Sequence, residues 1–169
     1  MTGRLRIIGM ALVLLSACSA AVQAQETAPM MNERQDTLNG RYLRELLLTK
    51  AREHLGNRYR YGSRGPGSFD CSGFAKYAYK QIGITLMESS RTQYTQGVHI
   101  RQEELQPGDL VFFARPGSSY IHHVGIVVDV NPENHHFTFI HAAYTGVIIS
   151  SSEEEYYKKR YYGATRMID

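Results

Sequence analysis

Cysteine is almost absent from this chain, whose 169 residues include only Cys18 and Cys71. We expect no disulfide between them, because Cys18 lies in a segment with the pattern of a secretion signal. A free thiol is uncommon in an exported protein. Cys71 is therefore either a small buried hydrophobic residue or a reactive group.

Long hydrophobic runs are also lacking. The apolar stretch "IIGMALVLL" is shorter than the ~20 residues that a membrane-spanning helix needs. Arg4 and Arg6 precede it and small residues follow, which is the layout of a secretory signal over residues 1–24. We therefore expect an exported protein of the cell envelope.

Two processing sites compete in this signal. "VQA" before Gln25 suits ordinary signal peptidase, whereas "LSAC", which ends at Cys18, resembles a lipoprotein box. We favour the second, because Cys18 follows the apolar run immediately. Lipid on Cys18 would anchor the exported protein to a membrane.

No charge of one sign dominates. The chain has 19 Lys and Arg against 16 Asp and Glu, a net charge of +3. The acidic run at 153–155 and the basic run at 158–160 offset one another. Nucleic acid is therefore not expected as a partner.

Periodicity predicts one domain of the α+β class. Polar residues 25–40 have no periodicity and are interpreted as a flexible linker, followed by a domain over residues 41–169. Apolar residues at helical spacing predict a helix that ends at Gly56 and a second from Cys71 to Ile82. Four short apolar strands follow, and "YYKKRYYGATRMI" closes with another strand or strand pair. This order predicts helices packed on an antiparallel sheet of about five to six strands.

Cys71 stands in the first turn of the second predicted helix, which Ser68 or Asp70 can cap. The positive end of the helix dipole favours thiolate over thiol. Position and chemistry together suggest a cysteine nucleophile, which needs a base and a group to orient that base.

The base is sought among seven histidines. Neighbours in a strand point to opposite faces, so His122 and His123 cannot both face the thiol. We choose His123, because Gly125 on its face leaves room for the cysteine helix. His122 shares its face with an apolar ladder that is expected on the opposite side of the sheet: Val124, Ile126 and Val128. His141 on the next strand can hydrogen-bond the base; a satisfied core histidine is the alternative. Four others are assigned to the surface: His54, His99, His135 and His136.

Two further alternatives concern Asp109 and zinc. Asp109 could be the residue that orients the catalytic base instead of His141. However, it follows a Pro-Gly turn and is expected to stabilise that turn. A zinc site would draw its ligands from distant segments without a C-x-x-C or H-E-x-x-H pair. We therefore expect no metal.

Four segments, "FDCSGFAKYAY", "LQPGDLVFF", "HHVGIVV" and "FIHAAYTGVIIS", resemble in order the signature segments of the NlpC-type cell-wall peptidases. The C-terminal end looks especially like the outer-membrane murein endopeptidase lipoproteins. The resemblance implies a papain-like α+β fold and hydrolysis of peptide bonds in peptidoglycan stems or cross-links, with no metal or organic cofactor.

The resemblance also implies roles for individual residues. Cys71 corresponds to the nucleophile, His123 to the base and His141 to the orienting residue. Tyr59 in "YRYG" corresponds to a tyrosine that helps form the site, and we place Tyr61 in the core. This chain has Gly62-Ser63 where the family usually has two glycines.

The oxyanion is expected at backbone N–H groups near the helix start, including those of Cys71 or Ser72. The expected partner is the peptidoglycan stem peptide, bound by a monomer. The alternatives are an amidase or acyltransferase that uses the same Cys-His machinery, and a wall-binding module without catalysis.

The lipoprotein hypothesis predicts that the mature protein begins at Cys18 and carries lipid there. A single mass spectrum of the intact mature chain tests this. An unmodified chain beginning at Gln25 would show that the "VQA" site is used instead.

Overall fold

The computed structural model describes residues 35–169. The predicted signal, Cys18 and residues 25–34 of the predicted linker lie outside them. Residues 35–52 form helix α1, so the linker prediction was wrong for residues 35–40. The physical reason is that no proline or glycine interrupts the chain between residues 35 and 39.

The other elements follow in chain order. They are β1 (Arg58–Tyr59), β2 (Ser68–Phe69), α2 (Cys71–Lys80), α3 (Ser90–Tyr94), β3 (Val98–Ile100), a 3₁₀ turn (Gln102–Glu104), β4 (Leu110–Ala114), β5 (Ile121–Val130), β6 (Phe137–Ala143), β7 (Gly146–Ser151), α4 (Glu155–Lys158) and β8 (Tyr161–Arg166). None of the helices in residues 35–169 is long and apolar enough to cross a membrane.

The strands form one six-stranded antiparallel sheet in the order β3-β8-β4-β5-β6-β7, and β1 and β2 form a separate two-stranded parallel pair. The predicted α+β class is confirmed, with β4 to β8 close to the predicted strands. The short elements β1, β2, α3, β3 and α4 were missed, because two to five residues show no measurable periodicity. Residues 156–158, predicted as part of a closing strand, belong to helix α4.

The sheet has apolar side chains on both faces. One cluster joins α1 and α2 to the sheet and includes Leu47, Phe74, Val124 and Ile126. A second cluster includes Phe113, Phe137, Phe139 and Tyr157. The face of Val124 and Ile126 therefore packs on the cysteine helix. The prediction that this ladder lies on the opposite side was wrong.

Asp109, fully buried, fastens α1 to the sheet. Its carboxylate lies 3.2 Å from Arg44 Nη1 on α1 and 2.8 Å from Arg166 Nη2 on β8. It also accepts the Gln106 N–H at 2.7 Å. Asp109 thus closes its turn, as expected, and in addition neutralises two arginines.

Replacing Asp109 should destabilise the domain. Asp109→Asn leaves Arg44 and Arg166 without a counter-charge, and we expect a loss of about 2–3 kcal/mol in the free energy of unfolding. Urea denaturation measures this. The control is Glu53→Gln, in the exposed Lys50–Glu53 pair, which should change that free energy by less than about 0.5 kcal/mol. Overlapping curves for Asp109→Asn and wild type would contradict the prediction.

Candidate active site

Helix α2 begins at Cys71 because Asp70 caps it. The Asp70 carboxylate accepts the Gly73 N–H at 2.7 Å, and the backbone of Asp70 is extended. The helix ends at Lys80, two residues before the predicted end. Cys71 is a free, partly buried cysteine in the first turn.

The thiol lies at the place where two strands separate. The ladder between β5 and β6 extends from Val130–Phe137 to Ile126–Ile140, although β5 continues to Ile121. Beyond the Ile126–Ile140 pair, His122 C=O and Val124 N–H lie on the edge of β5 that no longer pairs with β6. The Cys71 thiol donates to His122 O at 3.8 Å, and Val124 N–H hydrogen-bonds the sulfur.

His123 and His141 are hydrogen-bonded. His123 Nε2 lies 2.9 Å from His141 Nδ1, with the two rings nearly perpendicular. His141 is fully buried and its Nε2 lies 3.3 Å from the Tyr157 hydroxyl. Since Nε2 of His123 is occupied by His141, Nδ1 is the nitrogen left for the thiol.

Gly125 serves a different purpose from the predicted one. A Cβ at this position would lie 2.5 Å from Phe139 Cδ2 and 3.3 Å from His141 Cβ. The missing side chain therefore admits residues of β6 and not the cysteine helix. Gly125 brings His141 close enough to His123 for the hydrogen bond.

His122 departs from strand alternation. The pairing of β4 with β5 shifts between Phe113–His123 and Ala114–Ile121, which makes His122 the extra residue of a bulge. Its Nδ1 has no hydrogen-bond partner within residues 35–169. Burial, followed by the charges of Arg115 and Arg160, lowers the pKa of His122.

A cleft of about 470 Å³ contains these groups. The lining residues include the nucleophile candidate, both adjacent histidines and several tyrosines: Tyr59, Cys71, His122, His123, Tyr144, Tyr156 and Tyr157. Peptide-sized ligands need an open, partly apolar groove of this kind.

Tyr59 lies beside the thiol, as the resemblance implies. Its ring contacts that of Tyr144 edge to face, with centroids 4.8 Å apart. Burial, followed by the nearby charge of Cys71, raises the pKa of Tyr59 to about 12. Tyr61, predicted in the core, is 89% exposed. That prediction was wrong, because Tyr61 lies in the turn after β1 and not in a strand.

The loop before Cys71 accommodates Ser63. The Ser63 hydroxyl donates to the Ser68 carbonyl at 2.9 Å and lies 2.8 Å from the Ser68 hydroxyl. Gly62 N–H donates to the Asp70 carboxylate. The serine therefore adds two contacts that a glycine would lack.

Backbone N–H groups at the start of α2 point at the sulfur. Hydrogen bonds from the N–H groups of Ser72 and Cys71 lower the pKa of Cys71. The Ser72 side chain turns instead to Asp70, at 3.2 Å. Ser72 therefore reaches the site through its backbone.

Burial keeps both reacting groups neutral. It raises the pKa of Cys71 to about 11, and the charge of Asp70 adds to the effect. Burial also lowers the pKa of His123 well below its ordinary value, with His141 and His122 contributing. The N–H groups at the helix start do favour thiolate, as expected, but desolvation outweighs them and the pKa of Cys71 rises.

The remaining sequence candidates lie elsewhere. His54 packs edge to face on Phe69 and Tyr77, and His136 pairs with Glu153. Within residues 35–169 no group of three His, Cys, Asp or Glu side chains is arranged to hold a metal. Tyr157 was missed, because no spacing in the sequence links it to His141.

A model of the NlpC/P60 family matches residues 56–166, and the chain belongs to that family. Probable endopeptidase p60 of Listeria grayi is 48% identical over 82 residues, which are 48% of this chain and 16% of that protein. The chain therefore spans a small part of this curated relative. The resemblance found in the sequence is confirmed.

Solved structures agree with this assignment. An NlpC/P60 family protein from Bacillus cereus has a TM-score of 0.68 and 32% identity, over 75% of this chain and 40% of that one. The NlpC/p60 domain of the peptidoglycan hydrolase SagA has a TM-score of 0.61 and 27% identity, over 73% of this chain and 98% of that domain.

The raised pKa of Cys71 predicts how its alkylation depends on pH. Iodoacetamide reacts with thiolate, and the thiolate fraction increases as pH rises towards about 11. The alkylation rate should therefore continue to rise above pH 8.5. Mass spectrometry of the Cys71 peptide measures it separately from Cys18.

The urea-unfolded chain is the control, in which the rise should centre near ~8.5. A rise in the folded protein that is complete below pH 7 would contradict the prediction, since it would mean a preformed thiolate–imidazolium pair.

Proposed function

We propose that this chain is a peptidoglycan endopeptidase that hydrolyses peptide bonds in murein stem peptides or cross-links by cysteine catalysis. The observation that carries the proposal is the placement of Cys71 and the hydrogen-bonded pair His123–His141 in and against one cleft. A nucleophile, a base and a group that orients the base are the minimum set for this chemistry.

The first half of the reaction forms a thioester. His123 Nδ1 takes the thiol proton as the Cys71 sulfur attacks the scissile carbonyl carbon. The oxyanion accepts hydrogen bonds from the backbone N–H groups of Cys71 and Ser72. The C–N bond then breaks and His123 protonates the leaving amine.

Water completes the reaction. His123 takes a proton from a water molecule that attacks the thioester carbonyl, and the C–S bond breaks. The proton then returns to sulfur, and the product carries a new carboxylate. His141 stays neutral and accepts the His123 Nε2–H throughout.

Neutral resting groups suit this sequence of steps. With the pKa of Cys71 raised and that of His123 lowered, proton transfer coincides with attack and does not precede substrate binding. Binding of substrate also excludes water from the cleft, which strengthens the N–H contacts to the oxyanion.

The relatives support the substrate class. The Listeria protein is named a probable endopeptidase, and SagA is named a peptidoglycan hydrolase. We further propose that the protein is exported and attached to the outer membrane by lipid on Cys18.

Purified peptidoglycan tests the proposal. Wild-type protein should release muropeptides with new amino termini, and Cys71→Ala and Cys71→Ser should release none at matched circular dichroism. Mass spectrometry of the fragments identifies the bond that is cut. Transferred acyl groups would indicate a transferase, and binding without fragments a wall-binding module; either would overturn the proposal.

The two neighbouring histidines provide a matched comparison. His123→Ala should lower kcat by at least ~10², the contribution of a general base. His122→Ala should do much less, since His122 Nδ1 has no hydrogen-bond partner within residues 35–169. Greater sensitivity at His122 would contradict the assignment of the base.

A further inference from the structure

His141 has a contact at each of its ring nitrogens. Nδ1 lies 2.9 Å from His123 Nε2, and Nε2 lies 3.3 Å from the Tyr157 hydroxyl oxygen. Burial lowers the pKa of His141 to about 4, so the ring is neutral. A neutral imidazole has one N–H, and so one of these nitrogens donates while the other accepts.

The position of this proton decides whether His123 can act as a base. With the proton on Nε2, His141 accepts the His123 Nε2–H at its Nδ1, and His123 Nδ1 has a free lone pair. With the proton on Nδ1, His141 donates to His123 Nε2. The neutral His123 ring then carries its proton on Nδ1 and cannot accept one from the thiol.

Tyr157 is placed to decide between these two tautomers. It is 8% exposed, and its ring packs against Phe113 and Phe139. The apolar packing fixes where the hydroxyl lies. A fixed hydroxyl can either donate to His141 Nε2 or accept from it.

Ser150 gives the hydroxyl proton of Tyr157 another acceptor. The Ser150 side chain is buried and lines the same cleft as Tyr157, and a side-chain hydrogen bond with Ser150 lowers the pKa of Tyr157. When Tyr157 donates to Ser150, a lone pair of its oxygen remains for the His141 Nε2–H. The chain of donors then runs in one direction, from His123 to His141 and from His141 through Tyr157 to Ser150.

We propose that Tyr157, supported by Ser150, is a positioning residue that holds His141 in its Nε2–H tautomer and so keeps His123 Nδ1 free to accept the thiol proton. The proposal rests on the proposed role of His123 as the base. Tyr157 acts through the contact of its hydroxyl with His141. Its ring also stacks on that of His123, with centroids 6.4 Å apart, and Tyr157→Phe retains this ring contact.

Tyr157→Phe removes the hydroxyl and retains the ring that packs on Phe113. We expect kcat to fall by about 3- to 10-fold, the factor that one neutral hydrogen bond contributes, with KM unchanged. The control is Tyr161→Phe. Tyr161 also packs against Phe113, and its hydroxyl has no hydrogen-bond partner within residues 35–169. Tyr161→Phe should leave kcat unchanged, and an equal loss in both variants would overturn the proposal.

A double-mutant cycle separates proton placement from packing. An asparagine at position 141 accepts the His123 N–H with its amide oxygen, whatever stands at position 157. Tyr157→Phe should therefore lower kcat in the wild-type background and leave it unchanged in the His141→Asn background. An equal fold-loss in both backgrounds would mean that Tyr157 only packs, and would overturn the proposal.

Ring ¹⁵N chemical shifts of His141 provide a test independent of activity. In the wild type near pH 8, Nε2 should carry the proton and Nδ1 should have the shift of an unprotonated nitrogen; Tyr157→Phe should give a mixture. An Nδ1–H tautomer in the wild type would overturn the proposal. Because the shifts need no substrate, this outcome is distinct from a failure to cleave peptidoglycan.

Discussion

Beyond the Ile126–Ile140 pair, β5 and β6 no longer hydrogen-bond to one another, and the backbone groups freed on this edge need other partners. Helix α2 supplies the Cys71 thiol as one such partner. Asp70 caps the helix, and this places Cys71 beside His122 O and Val124 N–H. The position of the partly buried thiol in the cleft beside His123 follows from this separation of the strands.

The same architecture determines the charge state of the site. Packing the thiol into the sheet edge removes it from water, which disfavours thiolate more than two helix N–H groups favour it. Burial of His123 against His141 disfavours imidazolium in the same way. Both effects favour the uncharged thiol and the uncharged imidazole, and the proposed mechanism therefore places proton transfer after substrate binding.

Sequence patterns predicted the helices and strands that depend on interactions between residues close together in the chain. The α2 helix and the five main strands follow from periodicity, and capping chemistry left Ser68 and Asp70 as candidates, of which Asp70 is the cap. The reason given for choosing His123 was wrong, because Val124 and Ile126 pack on the cysteine helix and Gly125 makes room for β6. The pKa of Cys71 and the contact of Tyr157 with His141 depend on three-dimensional burial, which no spacing in one chain encodes.

The proposed cysteine catalysis requires that the Cys71 sulfur bonds covalently to the substrate carbonyl carbon. Acid quenching of wild-type protein during turnover of muropeptides, followed by mass spectrometry of its peptides, detects this bond. We expect an acyl adduct on the peptide that contains Cys71, absent after full turnover. Continued hydrolysis with no adduct at any quench time, or an adduct on another residue, would contradict it.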